Sequence, residues 1–325
     1  MLIKLLYKSP GKPGDKVFTY DLGWDFTTDP ECKNYDWLVA FEDIPKGSGE
    51  VLTCPKERTM FLTWEPTSVK RYSPAFTRQF GHLLTNRPPE ADRHPNYHLG
   101  EGYFPWMNDH TVKDSFNLQL PPKTNLISTV CSGKMMKQTL HYKRFMLTKA
   151  IKAAIPELEW AGHEVKWIKH KYDLLDSYKY HIAIENHIAP RHWSEKITDS
   201  ILSECLTFYA GDPELGKVLP PESFIPIPID DPEAAICIIK TAIANNEYEK
   251  RLPAIRAAKE LILKKYNFYA QIKKVIEECA EQKVTSVDPK RPIVIYSRKT
   301  LRKHNLLVAL SDGFLHLLNY LRGGR

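Results

Sequence analysis

Apolar residues in this chain come in short runs separated by polar turns, and the length of each run predicts its element. DWLVAF (36–41) and TMFLTW (59–64) are too short for helices and rich in large apolar side chains, which predicts two buried strands. The aromatic, turn-rich segment 94–110 predicts irregular structure on a domain surface. Further on the pattern alternates: a strand at 124–131, a helix at about 138–155, strands at 164–169 and 178–184, a helix at 194–204, a strand at 206–210, a helix at 232–245 and a helical run over 247–280. Strands alternating with helices imply right-handed crossovers and a parallel sheet, so the expected class is α/β.

A chain of 325 residues exceeds what one core usually organises, which predicts two domains. Consecutive prolines cannot continue a helix or a central strand, so Leu120-Pro121-Pro122 is read as the hinge. The expected division is an α/β domain over 1–118, a second over 119–282, and a basic amphipathic tail over 283–325.

No stretch reaches the roughly 20 apolar residues needed to span a bilayer, and the start MLIKLLYKSPGKPGDK is charged too early for a signal peptide. The six cysteines form no C-x-x-C pair and several sit in apolar runs such as AICIIK, as expected of buried free thiols in a reducing cytoplasm. The net charge of +7 lies entirely within 283–325, where nine Lys/Arg face Asp288 and Asp312, and the body is neutral. A neutral body argues against a nucleic-acid-binding surface. Phe314, Leu317, Leu318 and Leu321 recur at helical spacing, so the tail either packs on the body or lies on an anionic membrane, which would be the inner face of the plasma membrane.

In doubly wound sheets ligands bind at the carboxyl ends of the strands, which directs attention to residues 178–214. The strand there delivers Glu185 and Asn186 to that edge, where they meet either a ligand's hydroxyls or each other's loops. Ser194 is a good N-cap for the next helix, with Glu195 suited to the first turn. Lys196 opposes the helix dipole, so either an anion sits at the helix end or the lysine snorkels to solvent. Arg144 shares a helical stripe with Leu147 and Ile151 and points inward, to an anion or to a buried salt bridge. Ser132-Gly133 is a small-residue turn that lets backbone approach a ligand. Glu65 lies between Trp64 and Pro66, an apolar setting expected to raise its pKa toward that of a general base. Trp64, Tyr97 and Trp106 offer faces for sugar stacking, although a core needs aromatics too. Asp230-Asp231, His181, His187 and His192 match no known closed metal site, so no metal is expected.

YKYHIAIEN, then SEK nine positions on from Asn186 to Glu195, then YAGDPELGKVLPPESFIPI resemble the donor-binding signature of the family-10 glycosyltransferases, the α1,3/4-fucosyltransferases. STVCSGK followed by His141-x-x-Arg144, and TWEP, are shorter matches in the same order. The resemblance implies a GT-B fold of two Rossmann-like domains, GDP-fucose or another nucleotide sugar as donor, inversion at the anomeric carbon, and no obligatory metal or cofactor. It implies Glu65 as catalytic base, Arg144 and Lys196 on the pyrophosphate, and Asn186 and Glu195 on nucleotide or ribose, with Ser132, Gly133, Glu185 and His192 beside them. The implied acceptor is a glycan or lipid-linked oligosaccharide of the lipopolysaccharide kind. The chain departs from the family pattern over His187–Trp193, with histidine at 192 where tyrosine is common.

Overall fold

The apolar end of YKYHIAI lies in the strand Tyr178–Ile184 (β11), whose last five residues are buried on both faces, as a central parallel strand requires. The computed structural model describes residues 1–7, 17–21, 23–45, 49–67, 70–101, 117–136 and 140–322. It divides into two units, Met1–Gly100 with Gln271–Arg325, and Glu101–Ala270.

The second unit carries a five-stranded sheet in the order β10-β9-β11-β12-β13, every pair parallel, built from β9 (Asn125–Val130), β10 (Glu159–Ala161), β11, β12 (Leu206–Ala210) and β13 (Phe224–Pro226). Its helices include α2 (His141–Ala154), α3 (Glu195–Leu202), α4 (Pro232–Ala244) and α5 (Glu247–Lys264). Ile127, Tyr180, Ile182 and Phe208 from the sheet pack with Leu147 and Ile151 of α2, Ile239 of α4 and Ile255 of α5 in one core. Because β9 pairs with β10 on one side and β11 on the other, the connections leave in opposite directions there, which creates a crevice at the carboxyl ends of β9 and β11.

The first unit carries a seven-stranded sheet in the order β2-β3-β1-β4-β6-β7-β8. Its strands are β1 (Leu2–Tyr7), β2 (Val17–Asp21), β3 (Trp24–Thr27), β4 (Trp37–Phe41), β6 (Thr59–Thr63), β7 (His82–Thr85) and β8 (Tyr97–Leu99), all parallel to their neighbours except β2. The helix α1 (Pro74–Thr77) sets Phe76 against Phe61, edge to face at 5.2 Å. The charged start of the chain is therefore a core strand. Lys4 in β1 is fully buried, and its Nζ donates to Pro30 O and Cys32 O at 2.9 Å and to Glu50 at 2.8 Å.

Both units thus have the α/β build that the alternation implied, but several boundaries differ. The strand expected at 164–169 is absent there, and β10 lies earlier, with Gly162 and Lys166 closing a tight turn after it. A Cβ at Gly162, where φ is +148°, would lie 2.5 Å from Cys131 O. The run 247–280 is two helices, α5 and α6 (Phe268–Glu278), broken where the Asn267 side chain caps Ile262 O and Leu263 O.

The expected divisions after residues 118 and 282 shift to 100/101 and 270/271, because the last segment returns to the first unit. Val294–Tyr296 (β14) pairs antiparallel with Gly49–Val51 (β5), and Ile295 is fully buried in that unit's core. Arg298, at the start of α7 (Arg298–His304), donates to Asp43 and to Arg71 O. Asp312 on α8 (Leu306–Arg322) binds Arg302 at 2.6 Å. Residues 294–312 are thus anchored to the first unit through Ile295, Ser297, Val308 and Asp312, although Leu306, Leu307, Leu310, Phe314 and Leu317 of α8 remain exposed. Among the cysteines, Cys54, Cys131 and Cys205 are buried and Cys237, expected inside, is exposed.

Candidate functional site

The crevice at the switch point of the second unit opens into a cavity of about 240 Å³. Its wall takes Ser132 and Lys134 from the end of β9, His141 and Arg144 from the first turn of α2, Asn186 from the end of β11, and Glu195, Lys196 and Asp199 from α3. Five residues singled out in the sequence, Ser132, Arg144, Asn186, Glu195 and Lys196, therefore meet around one space.

Arg144 is 6% exposed, and among the described residues no carboxylate lies within ion-pairing distance of it. Its Nε is buried without a hydrogen-bond partner, and the same holds for Asn186 Oδ1 across the cavity. A buried cation or amide without a partner is costly, typically about 1–3 kcal/mol and more for a charge, so an orphaned pair on one cavity wall calls for a ligand. The arginine asks for an anion and the amide oxygen for a hydroxyl or N–H donor.

Lys196 is held differently. Its Nζ donates to Ser194 Oγ at 3.0 Å and to Glu195 Oε1 at 3.2 Å, and it stands 3.2 Å from Glu185 Oε2. Burial works against its charge, but the two carboxylates outweigh that and raise its pKa. Glu195 is lowered to about 2, because Lys196 and Lys171 overcome the burial that would raise it. Lys171 pairs with Asp199 at 2.7 Å. Burial first, and then Arg144, Lys134 and Lys196, keep the His141 imidazole neutral. Arg144 is thus the buried cation on this wall that, among the described residues, no carboxylate compensates.

Glu185, read as a direct ligand contact, instead stands behind the wall. It accepts from Ser194 N at 3.0 Å and Ser194 Oγ at 2.8 Å, fixing the N-cap of α3, and it faces the Tyr209 hydroxyl. Gly211 is required by that packing, since a Cβ there would fall 2.1 Å from Tyr209 Oη. Gly133 supports the turn from the side, its N–H donating to His163 O at 2.8 Å. His192 is not on the cavity wall; its ring meets His187 edge to face at 5.2 Å. The divergent loop is tied down by Arg191 N donating to Asp212 at 2.9 Å, and by Arg191 Nη1 and Trp193 Nε1 donating to Glu101.

Of the metal candidates weighed in the sequence, His181 lies on the cavity wall, donates Nδ1–H to Ser128 at 2.8 Å, and is kept neutral, its pKa pushed to about 3 by burial and then by Lys171 and Lys123. Asp231 caps α4 and Asp230 pairs with Lys143.

In the first unit, Glu65 sits just past the end of β6, on a backbone pinned from both sides. Its N–H donates to Glu42 Oε1 at 3.2 Å and its carbonyl accepts from Arg87 Nε at 2.6 Å. The sequence reading missed Glu42. This buried carboxylate accepts from Thr63 Oγ1 at 2.9 Å, Trp64 N at 2.8 Å and Tyr72 Oη at 2.5 Å, and its own backbone has φ +65°, a strained value for glutamate. An acidic residue ending an apolar strand, as Glu42 ends WLVAF, was the available signal.

Trp64, expected to stack on sugar, is 1% exposed and belongs to the core, so its ring offers no free face. Tyr97 donates its hydroxyl to Arg87 O and lines a second cavity of about 640 Å³ together with Arg78, Arg93 and His94. Trp106 lies outside the described residues.

No protein-family model matches the sequence, and no curated protein matches it either. Among solved structures the chain is similar to an α1,3-fucosyltransferase with GDP-fucose, at 17% identity and a TM-score of 0.46 over 82% of this chain and 92% of that one. It is similar to a glycosyltransferase from Rickettsia africae ESF-5, at 11% identity and 0.44 over 77% and 78%. It is also similar to sucrose-phosphate synthase from Thermosynechococcus elongatus, at 10% identity and 0.40 over 86% and 88%.

Proposed function

We propose that the chain is an inverting glycosyltransferase of GT-B type that takes a nucleoside diphosphate sugar, GDP-fucose first among candidates, and transfers the sugar to a hydroxyl of a glycan acceptor. The observation that supports it most directly is the pair of orphaned groups, Arg144 Nε and Asn186 Oδ1, facing one cavity at the switch point of a parallel sheet. The donor-type motif contributes the residues of that same wall.

In this reading the diphosphate lies against Arg144 and the N-terminus of α3, whose dipole favours negative charge. Asn186 accepts from a hydroxyl or N–H of the nucleotide. The acceptor hydroxyl oxygen attacks the anomeric carbon, its proton passes to the Glu65 carboxylate, and the bond from that carbon to the diphosphate oxygen breaks with its electrons. The leaving diphosphate gains charge as it departs, and preorganised cations stabilise it. Arg144 does this with an uncompensated charge, while Lys196 draws on one already shared with Glu185 and Glu195. No obligatory metal is called for in this scheme.

Glycan acceptors of the lipid-linked kind suit the last helix. Leu307 is 76% exposed and Phe314 61%, on a helix that is itself neutral but follows the basic stretch 283–303, so an anionic bilayer surface at the cytoplasmic face is the proposed partner of α8 together with that stretch. No helix among the described residues is long and apolar enough to cross a membrane.

Transfer and hydrolysis measured across a panel of GDP- and UDP-sugars test the proposal. Turnover with GDP-fucose, together with a melting temperature raised by GDP and not by UDP, supports it. Turnover with a UDP-sugar alone keeps the reaction and replaces the donor, and no turnover with any donor overturns it.

A further inference from the structure

Away from the donor cavity, three side chains of the first unit bring ligand-type atoms together: His82 at the start of β7, His98 in β8, and Cys279 just past the end of α6. His82 Nδ1 lies 3.1 Å from His98 Nε2 and 3.7 Å from Cys279 Sγ, and all three atoms fall within 4.8 Å of one another. A tetrahedral zinc ion with ordinary bonds to nitrogen and sulfur sets its ligand atoms about 3.3 Å apart for N···N and about 3.6 Å for N···S. Two of the three separations are already within a few tenths of an ångström of that.

The protons point the same way. His82 Nε2 lies 3.0 Å from Glu57 O, and a carbonyl only accepts, so Nε2 carries the hydrogen and Nδ1 presents its lone pair. On the far side of the cluster the Glu278 carboxylate stands 3.7 Å from His98 Nδ1, beyond a direct hydrogen bond but near enough to draw the His98 hydrogen to Nδ1 once Nε2 binds a cation. In the free chain His98 Nε2–H can donate to the His82 lone pair across 3.1 Å beside the thiol, and a cation would take the place of this shared hydrogen. Metal-bound histidines usually hold their second nitrogen against a carbonyl or carboxylate in this manner.

We propose that His82 Nδ1, His98 Nε2 and Cys279 Sγ bind one zinc-class divalent ion, with water as the fourth ligand. Two imidazoles and a thiolate suit a borderline-soft ion better than magnesium or calcium. The ion ties the segment after α6 to β7 and the edge strand β8, so that the returning part of the chain is fastened to the seven-stranded sheet. The site is independent of the donor cavity, whose residues all belong to the other unit.

The experiment uses the full chain, freed of metal by a chelator and dialysed. Zn²⁺ titration by calorimetry is expected to show one ion per chain, and Co²⁺ to give the visible bands of tetrahedral coordination with a thiolate charge-transfer band in the near ultraviolet. Cys279→Ser should abolish the thiolate band, whereas Cys237→Ser, at the exposed cysteine of α4, should leave it unchanged. Glu278→Gln should weaken Zn²⁺ binding roughly 10- to 100-fold, as the loss of an outer partner does, without changing the melting temperature of the metal-free protein. Failure of the folded wild-type chain to bind stoichiometrically overturns the proposal and leaves a hydrogen-bonded triad. So does a Co²⁺ spectrum without the thiolate band, or binding that His98→Ala leaves untouched. The Glu278→Gln and wild-type cobalt readouts stay decisive should Cys279→Ser fold poorly.

Discussion

Replacing Arg144 by methionine separates a ligand-binding cation from a structural one, because the two roles predict opposite signs for stability. Methionine keeps the aliphatic stem packed beside Leu147 and removes only the guanidinium. Arg144 is 6% exposed, its Nε has no partner, and no described carboxylate pairs with it, so the free protein carries the desolvation cost of that group uncompensated. Relieving it should leave the nucleotide-free protein as stable as the parent, or more stable by about 1–3 kcal/mol. In a unit of this size that corresponds to a rise of roughly 2–4 °C per kcal/mol. Binding should move the other way. Losing one preorganised donor to a diphosphate is worth about 2–4 kcal/mol, which is roughly 30- to 700-fold in affinity or turnover. Differential scanning calorimetry of the nucleotide-free protein and isothermal titration with GDP read the two quantities separately. A variant that melts well below the parent and still binds GDP normally would show Arg144 to be a packing residue and remove the main support for the donor site.

Three further outcomes follow from the same geometry. Glu65→Gln should abolish transfer while GDP affinity stays unchanged, since Glu65 belongs to the first unit and the cavity to the second; retained turnover would move the base elsewhere. Acid should destabilise the chain through His181, whose native pKa of about 3 lies below the 6.5 of an exposed imidazole. The unfolded state then binds the extra proton, so stability falls as pH drops from about 6.5 toward 3, by at most about 1.4 kcal/mol per pH unit. Asp212, raised to about 6 by burial, contributes the opposite slope between 3.8 and 6, and urea melts of His181→Asn and Asp212→Asn across this range should flatten the two separately. Finally, Leu307→Ser with Phe314→Ser should weaken sedimentation with anionic phospholipid vesicles while turnover on a soluble acceptor persists; unchanged sedimentation would exclude α8 as the membrane contact.

The second unit was legible because its signals are local. Strands β11 and β12 fall at the expected residues, since fully buried parallel strands read as continuous apolar runs, and the wall residues follow strand ends or open helices. Lys134 and Lys171 escaped notice because an exposed-looking lysine says nothing of which cavity it borders. The first unit was harder. The opening strand was obscured by Lys4, whose charge is satisfied by two carbonyls and Glu50 far along the chain. Trp64 looked like a binding face because periodicity cannot tell a buried indole from an offered one. The triad of His82, His98 and Cys279 has no spacing to announce it, with its cysteine 197 positions from His82.

The first unit is finished by a segment made long after its first hundred residues. Arg298 donates to Asp43 across 255 positions of sequence. At ordinary elongation rates, on the order of ten to fifty seconds separate the emergence of β5 from that of its partner β14. The inserted unit can fold during synthesis, while its host waits with β5 unpaired and the place of Ile295 in its core unfilled. Deleting the last forty residues would therefore not trim an appendage; it would leave the nascent host permanently incomplete and exposed to aggregation.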